Sequence, residues 1–147
     1  VIIAKNFKSE INLMEIMQDA ISTHIYTIHI FLAIMLFNLY SVISSKDFIS
    51  LAKRLKFMTP VYHLSNAIVI YTGTIVAFYA QQFSLTIALM IPASIFLLVI
   101  EIKRYKKQRV IKVGDMKLQE DFYAYAKKIY LIEISVLVLV YVISKVF

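Results

Sequence analysis

The sequence predicts an all-α integral membrane protein, a four-helix transmembrane bundle with an N-terminal amphipathic helix, and three observations predict it. Residues 57–100 contain no Asp, Glu, Lys or Arg and are broken only by Gln81-Gln82. That run is about twice the ~20 residues an α-helix needs to cross a bilayer, so it reads as a helical hairpin. The whole chain of 147 residues is 61% hydrophobic with only two glycines and two prolines, too apolar and too poor in turn residues for a soluble domain of mixed structure. Finally, thirteen of the sixteen Lys and Arg residues fall in two stretches, 46–60 and 102–128, beside apolar segments. Without cysteine there is no disulfide framework and no thiolate chemistry.

Residues 1–8 lack the charged start, apolar core and cleavage site of a signal peptide. From Ser9, a predicted N-cap, the spacing turns helical: Leu13, Ile16, Met17, Ala20 and Ile21 share one face and Glu15, Gln18, Asp19 and Ser22 the other. This is the pattern of a surface helix that runs straight into the first span, about 21–43. That span carries polar residues on two sides, His24, Thr27, Asn38 and Ser41 on one and Ser22, Tyr26, His29 and Tyr40 on another, so protein neighbours are expected on both. A short basic loop, 46–60, follows, and Pro60 is placed at the start of the second span, about 61–80. Gly73 and Ala77 form a small-xxx-small pair there, expected to seat another helix. Gln81-Gln82 turns the chain into a third span, about 83–101, in which Pro92 removes a backbone hydrogen bond near Ala88 and is expected to kink the helix. The basic segment 102–128 is read as the third helix continuing, a turn near Gly114-Asp115, and a return from about Leu118 into the fourth span, 129–147.

With four spans both basic loops share one side, which the positive-inside rule assigns to the cytoplasm, with both termini outside. The abundance of Ile and Lys fits an AT-rich bacterial genome, and the expected location is a bacterial inner membrane. The formal charge of +7 is accounted for by orientation in the membrane, and nucleic acid is not an expected partner. The expected partners are the lipid bilayer and either further copies of the chain or a larger membrane complex.

No phosphate-binding glycine loop, zinc-protease helix, serine elbow or calcium loop is present. The informative residues are the polar ones a bilayer penalises, where an acidic or basic side chain at a helix centre costs roughly 2.5–3.5 kcal/mol. Toward the basic side these are His63, Asn66, Glu101 and Glu133, with Asn38 nearby, a set suited to a proton relay or an ion. The alternative is that Glu133 snorkels or pairs with Lys127 or Lys128. Toward the opposite side lie His24 and His29, five residues and about 140° apart, which cannot ligate one ion from the same face. His29 and Met90 come to similar depth and are compatible with a His/Met haem site; packed histidines and an ordinary methionine are the competing reading. No dedicated metal-ligand set is expected.

The four spans, the histidine-bearing first span, Arg54-Leu55 followed by Pro60 and Gly73, and the apolar last span ending Lys145-Val146-Phe147 resemble the small HemJ-type protoporphyrinogen oxidases and their haem-binding membrane relatives. Where that family has Asn-Glu-x-Pro before its last span, this chain reads Lys128-Ile129-Tyr130-Leu131, and Val146 replaces a proline near the end. The resemblance implies haem b, a redox or porphyrin role, and His24 or His29 as ligand. A non-enzymatic assembly subunit and a small proton-coupled carrier using His63 and Glu133 are the rival readings.

Overall fold

The computed structural model describes residues 1–81 and 83–146. Four helices account for nearly all of them: α1, Ile2–Ser44; α2, Phe48–Ala80; α3, Leu85–Arg109; and α4, Met116–Val146. All four are long and apolar enough to cross a membrane, and no strand occurs among the described residues. The chain is an all-helical, multi-pass membrane bundle. In chain order each helix packs on the next, and α4 closes on α1. The end bearing 45–47 and 110–115 is called the basic end here.

Two boundaries differ from the sequence expectation. Ser9 is not an N-cap but lies inside α1, which runs unbroken from Ile2 into the bundle, so no break separates a surface helix from the span. Residues 1–16 are all exposed. The stretch 46–60 is not a loop either. Asp47 caps α2, its carboxylate accepting from the backbone N–H groups of Ile49 and Ser50, and Pro60 sits inside the helix rather than at its start. The return between α3 and α4 is as read, a turn at 110–115. Gln81 closes α2 in the left-handed region at φ 52°, and Ser84 Oγ caps α3 by accepting from Ile87 N–H. Gln82 and Phe147, named above as turn and terminal span residues, lie outside the described residues.

Inside a bilayer, lipid tails are as apolar as leucine, so helices are held by close packing and by buried hydrogen bonds rather than by expulsion from water. Two apolar clusters supply the packing. One, at the basic end, joins Val42, Phe48, Leu51, Leu55, Phe122, Ala126 and Tyr130; the other joins Phe31, Met35, Tyr62, Val69 and Leu97. Edge-on ring contacts, Phe48 on Phe122 and Phe31 on Tyr62, fix the register of α4 and α1 against α2. Polar groups fill the layer between these clusters.

Candidate functional site

Above the second cluster, away from the basic end, the four helices separate around a cavity of about 560 Å³. This falls in the range of small-molecule and cofactor sites. His24 from α1, Asn66 and Gly73 from α2, Met90 from α3, and Leu137 and Tyr141 from α4 are among its lining residues. Ile70, Ile91 and Ile95 also line it and are themselves about half exposed, so the cavity opens sideways between α2 and α3, toward lipid.

Of the three histidines, His24 is the one that lines this cavity. It is 8% exposed, and its Nδ1 lies 2.8 Å from Thr72 Oγ1. Thr72 has a single hydroxyl proton, held by the carbonyls of Ile68 and Val69 one turn back at 2.9 and 3.1 Å. With the proton there, its oxygen accepts from His24 Nδ1–H and Nε2 carries a free lone pair; the opposite tautomer, with Thr72 O–H donating to Nδ1, fits the same 2.8 Å contact. Nε2 is buried and has no hydrogen-bond partner. A histidine oriented through one ring nitrogen, with the other open, is the arrangement of a metal-ligating imidazole. Thr27, bonded to the His24 carbonyl, lies 3.2 Å from the Thr72 hydroxyl and braces the pair.

Gly73 explains how the ring fits. A Cβ added there would lie 3.0 Å from His24 Cε1 and 3.4 Å from Nε2, so any larger residue requires the ring to shift by a few tenths of an ångström. On the small-residue face of α2, Gly73 thus receives a side chain of the neighbouring α1 and, with Ala77, lines the cavity.

His29 does not join this site. It is exposed, its Nδ1 bonds the Ile25 carbonyl, and its ring meets Tyr141 edge-on at 5.6 Å. The expected pairing of His29 with Met90 fails because the 140° between the two histidines puts only His24 on the cavity face.

The second polar group lies toward the basic end. Arg104 is fully buried and donates through Nε and Nη2 to Glu101 Oε1 at 2.9 and 2.8 Å, through Nη2 to Thr59 Oγ1 at 2.9 Å, and through Nη1 to Gln108 Oε1. Gln108 in turn donates to the Ala52 carbonyl, tying α3 to α2. The Tyr130 ring faces the guanidinium at 5.6 Å, and its hydroxyl donates a long bond of 3.5 Å to Glu101 Oε1. Glu133 is also fully buried; it neither snorkels nor pairs with Lys127 or Lys128.

Of the four residues expected here, Glu101 and Glu133 are brought together; His63 and Asn66 are not part of the group. His63 is half-buried with its ring edge-on to Tyr62 at 5.7 Å, and Tyr62, one residue earlier, faces the carboxylates instead. Asn66 donates to the Ser94 carbonyl at 3.4 Å and lines the cavity. Arg104, Gln108, Thr59, Tyr62 and Tyr130 escaped the sequence reading. The signal available was the spacing Glu101, Arg104, Gln108, three and four residues apart and so on one helix face. No family model, no curated protein and no solved structure matches this chain.

Proposed function

We propose that this chain is a polytopic protein of the bacterial inner membrane that holds haem b or a related porphyrin in the four-helix cavity, with His24 as the iron ligand. The observation that carries the reading is that His24, whose Nε2 is buried and unpartnered, lines a large apolar cavity. Met90 lines the same cavity and would offer a thioether to the iron. Bound there, haem would supply one-electron redox chemistry.

The chain's own residues set the conditions. Thr72 holds the imidazole through Nδ1 and Gly73 gives the ring room. The apolar wall keeps water away, and the opening between α2 and α3 admits a group already dissolved in lipid. Lys145, whose ammonium stands 5.5 Å from the Tyr141 ring, provides a cation near the cavity for an acidic substituent. The concentration of Lys and Arg at one end supports an orientation with that end in the cytoplasm and both termini outside.

A second reading rests on the exposed first turns of α1, where Ile3, Phe7 and Met14 have no neighbour. It makes the chain a docking subunit for a larger membrane partner. An absorption spectrum of the detergent-purified protein, air-oxidised and then dithionite-reduced, separates the two. Near-stoichiometric haem bands support the first; a spectrum that stays flat after haem is added overturns it and leaves the second.

A further inference from the structure

The buried layer between the two apolar clusters has a charge problem that the cavity does not address. Glu101 Oε2 and both oxygens of Glu133 are buried and accept no hydrogen bond, and the Tyr62 hydroxyl is buried without a partner as well. The ionisable groups facing the Glu133 carboxyl are Tyr62 from α2, Glu101 and Arg104 from α3, and Tyr130 on α4 itself. From α1 the buried residues in this half are Met35, Asn38, Ser41 and Val42, none of them titratable. Two carboxylates and one guanidinium, all fully buried, leave one negative charge without a cationic partner.

A buried ion of this kind is not sustained in a low-dielectric interior; it takes up a counter-charge or a proton. A metal ion is disfavoured, because the Arg104 guanidinium already occupies the cation position. Among the described residues no group of three His, Cys, Asp or Glu side chains is arranged to hold one. The remaining solution is one hydrogen ion.

The surroundings also give that proton somewhere to go. Tyr62 stands next to Glu133, and Asn66, one turn further along the same face of α2, lines the cavity with its Oδ1 unpartnered. From Tyr62 to Thr72, the partner of His24, is ten residues, or roughly 15 Å at the helical rise. In the other direction Arg104 and Gln108 lead to the Ala52 carbonyl near the basic end.

We infer that Glu133 and Glu101 form a proton-binding site in which one proton is held between the two carboxyl groups and exchanges along the line from Tyr62 to Asn66. On protonation the Glu133 carboxylate becomes a carboxylic acid, and its O–H supplies the donor that Glu101 Oε2 lacks. The site stands whatever fills the cavity, since its deficit arises from Glu101, Arg104 and Glu133 alone. A redox group above it would gain a source of charge compensation for each electron it takes up.

Infrared spectroscopy of the purified apoprotein at neutral pH, in water and then in D2O, tests this. The other seven acidic residues are exposed or half-buried, so Glu101 and Glu133 are the two buried carboxyl groups the spectrum has to report on. The expected result is the carbonyl stretch of one protonated carboxylic acid per chain, shifted on transfer to D2O, lost in Glu133→Gln and moved in Glu133→Asp. Circular dichroism confirms that both variants keep their helices, and the wild-type band needs no variant at all. Absence of the band in the wild type overturns the proposal, as does a band that persists unchanged in both Glu133→Gln and Glu101→Gln. A band that never shifts in D2O overturns the exchange route, and one removed by sodium at fixed pH shows that a cation, not a proton, occupies the site.

Discussion

At the basic end, Arg104 directs its guanidinium donors at Glu101, Gln108 and Thr59, and apolar side chains close over the group from both sides. About 15 Å away, by the helical rise, His24 lines a cavity, with one ring nitrogen on Thr72 and the other buried without a partner. Both regions contain an acceptor with no donor, the Glu133 carboxylate in one and His24 Nε2 in the other. What differs is room. Where the walls are packed there is room for no more than a proton; where they stand apart there is room for a cofactor. An orphan polar atom thus takes its meaning from the volume in front of it.

The sharpest way to break this comparison is to remove the cation of the packed region. Arg104→Ala would strand two buried carboxylates and is expected to destabilise the bundle by about 3–5 kcal/mol, measured by denaturant unfolding in detergent. The double replacement Arg104→Met with Glu101→Gln should cost less than the single one, because no uncompensated ion pair remains; an equal or larger loss would mean packing, not charge, sets the effect.

In the open region the expected effects fall on ligand affinity and not on folding. Thr72→Val removes the acceptor that orients His24 and should weaken haem binding roughly 10–100-fold. Gly73→Ala should weaken it too while leaving unfolding nearly unchanged, since alanine gains up to about 1 kcal/mol of helix propensity against the displaced ring. Haem titration followed by absorbance reads both, and unchanged affinity in the two variants would detach His24 from the cavity's purpose.

The smallest effect belongs to a group outside both regions. Backbone N–H bonds from Ile49, with help from Ser50 and Lys53, hold the Asp47 carboxyl below its ordinary value. A carboxyl depressed on folding contributes stability above its unfolded pKa and loses it as pH falls through the folded one. The start of α2 should therefore fray only in acid, below the usual carboxylate range, and Asp47→Asn should flatten that dependence while keeping the cap. Amide exchange of residues 49–51 against pH measures it.

The spans were legible because apolar length is a one-dimensional property, and residues 57–100 displayed it openly. The start of α2 was hidden by Lys53, Arg54 and Lys56, which looked like a loop but occupy the exposed or half-buried side of a helix whose Leu51 and Leu55 are buried. Arg104 was concealed in the same way, counted with the topological charges of 102–128 although α3 carries it into the core. Glu101 and Glu133 stood out because a membrane penalises them, but their partners Tyr62 and Tyr130 did not, since tyrosine is common in spans. The choice between His24 and His29 needed rotation about the axis of α1 relative to α2, and that comes only from packing against Thr72 and Gly73.

The most direct test of the account is a haem titration of the purified wild type beside His24→Ala and His29→Ala, each checked for helix content. Wild type and His29→Ala are expected to bind one haem per chain with the same spectrum, and His24→Ala to bind none. Loss of the spectrum in His29→Ala with retention in His24→Ala would contradict the assignment of the cavity and its inward histidine.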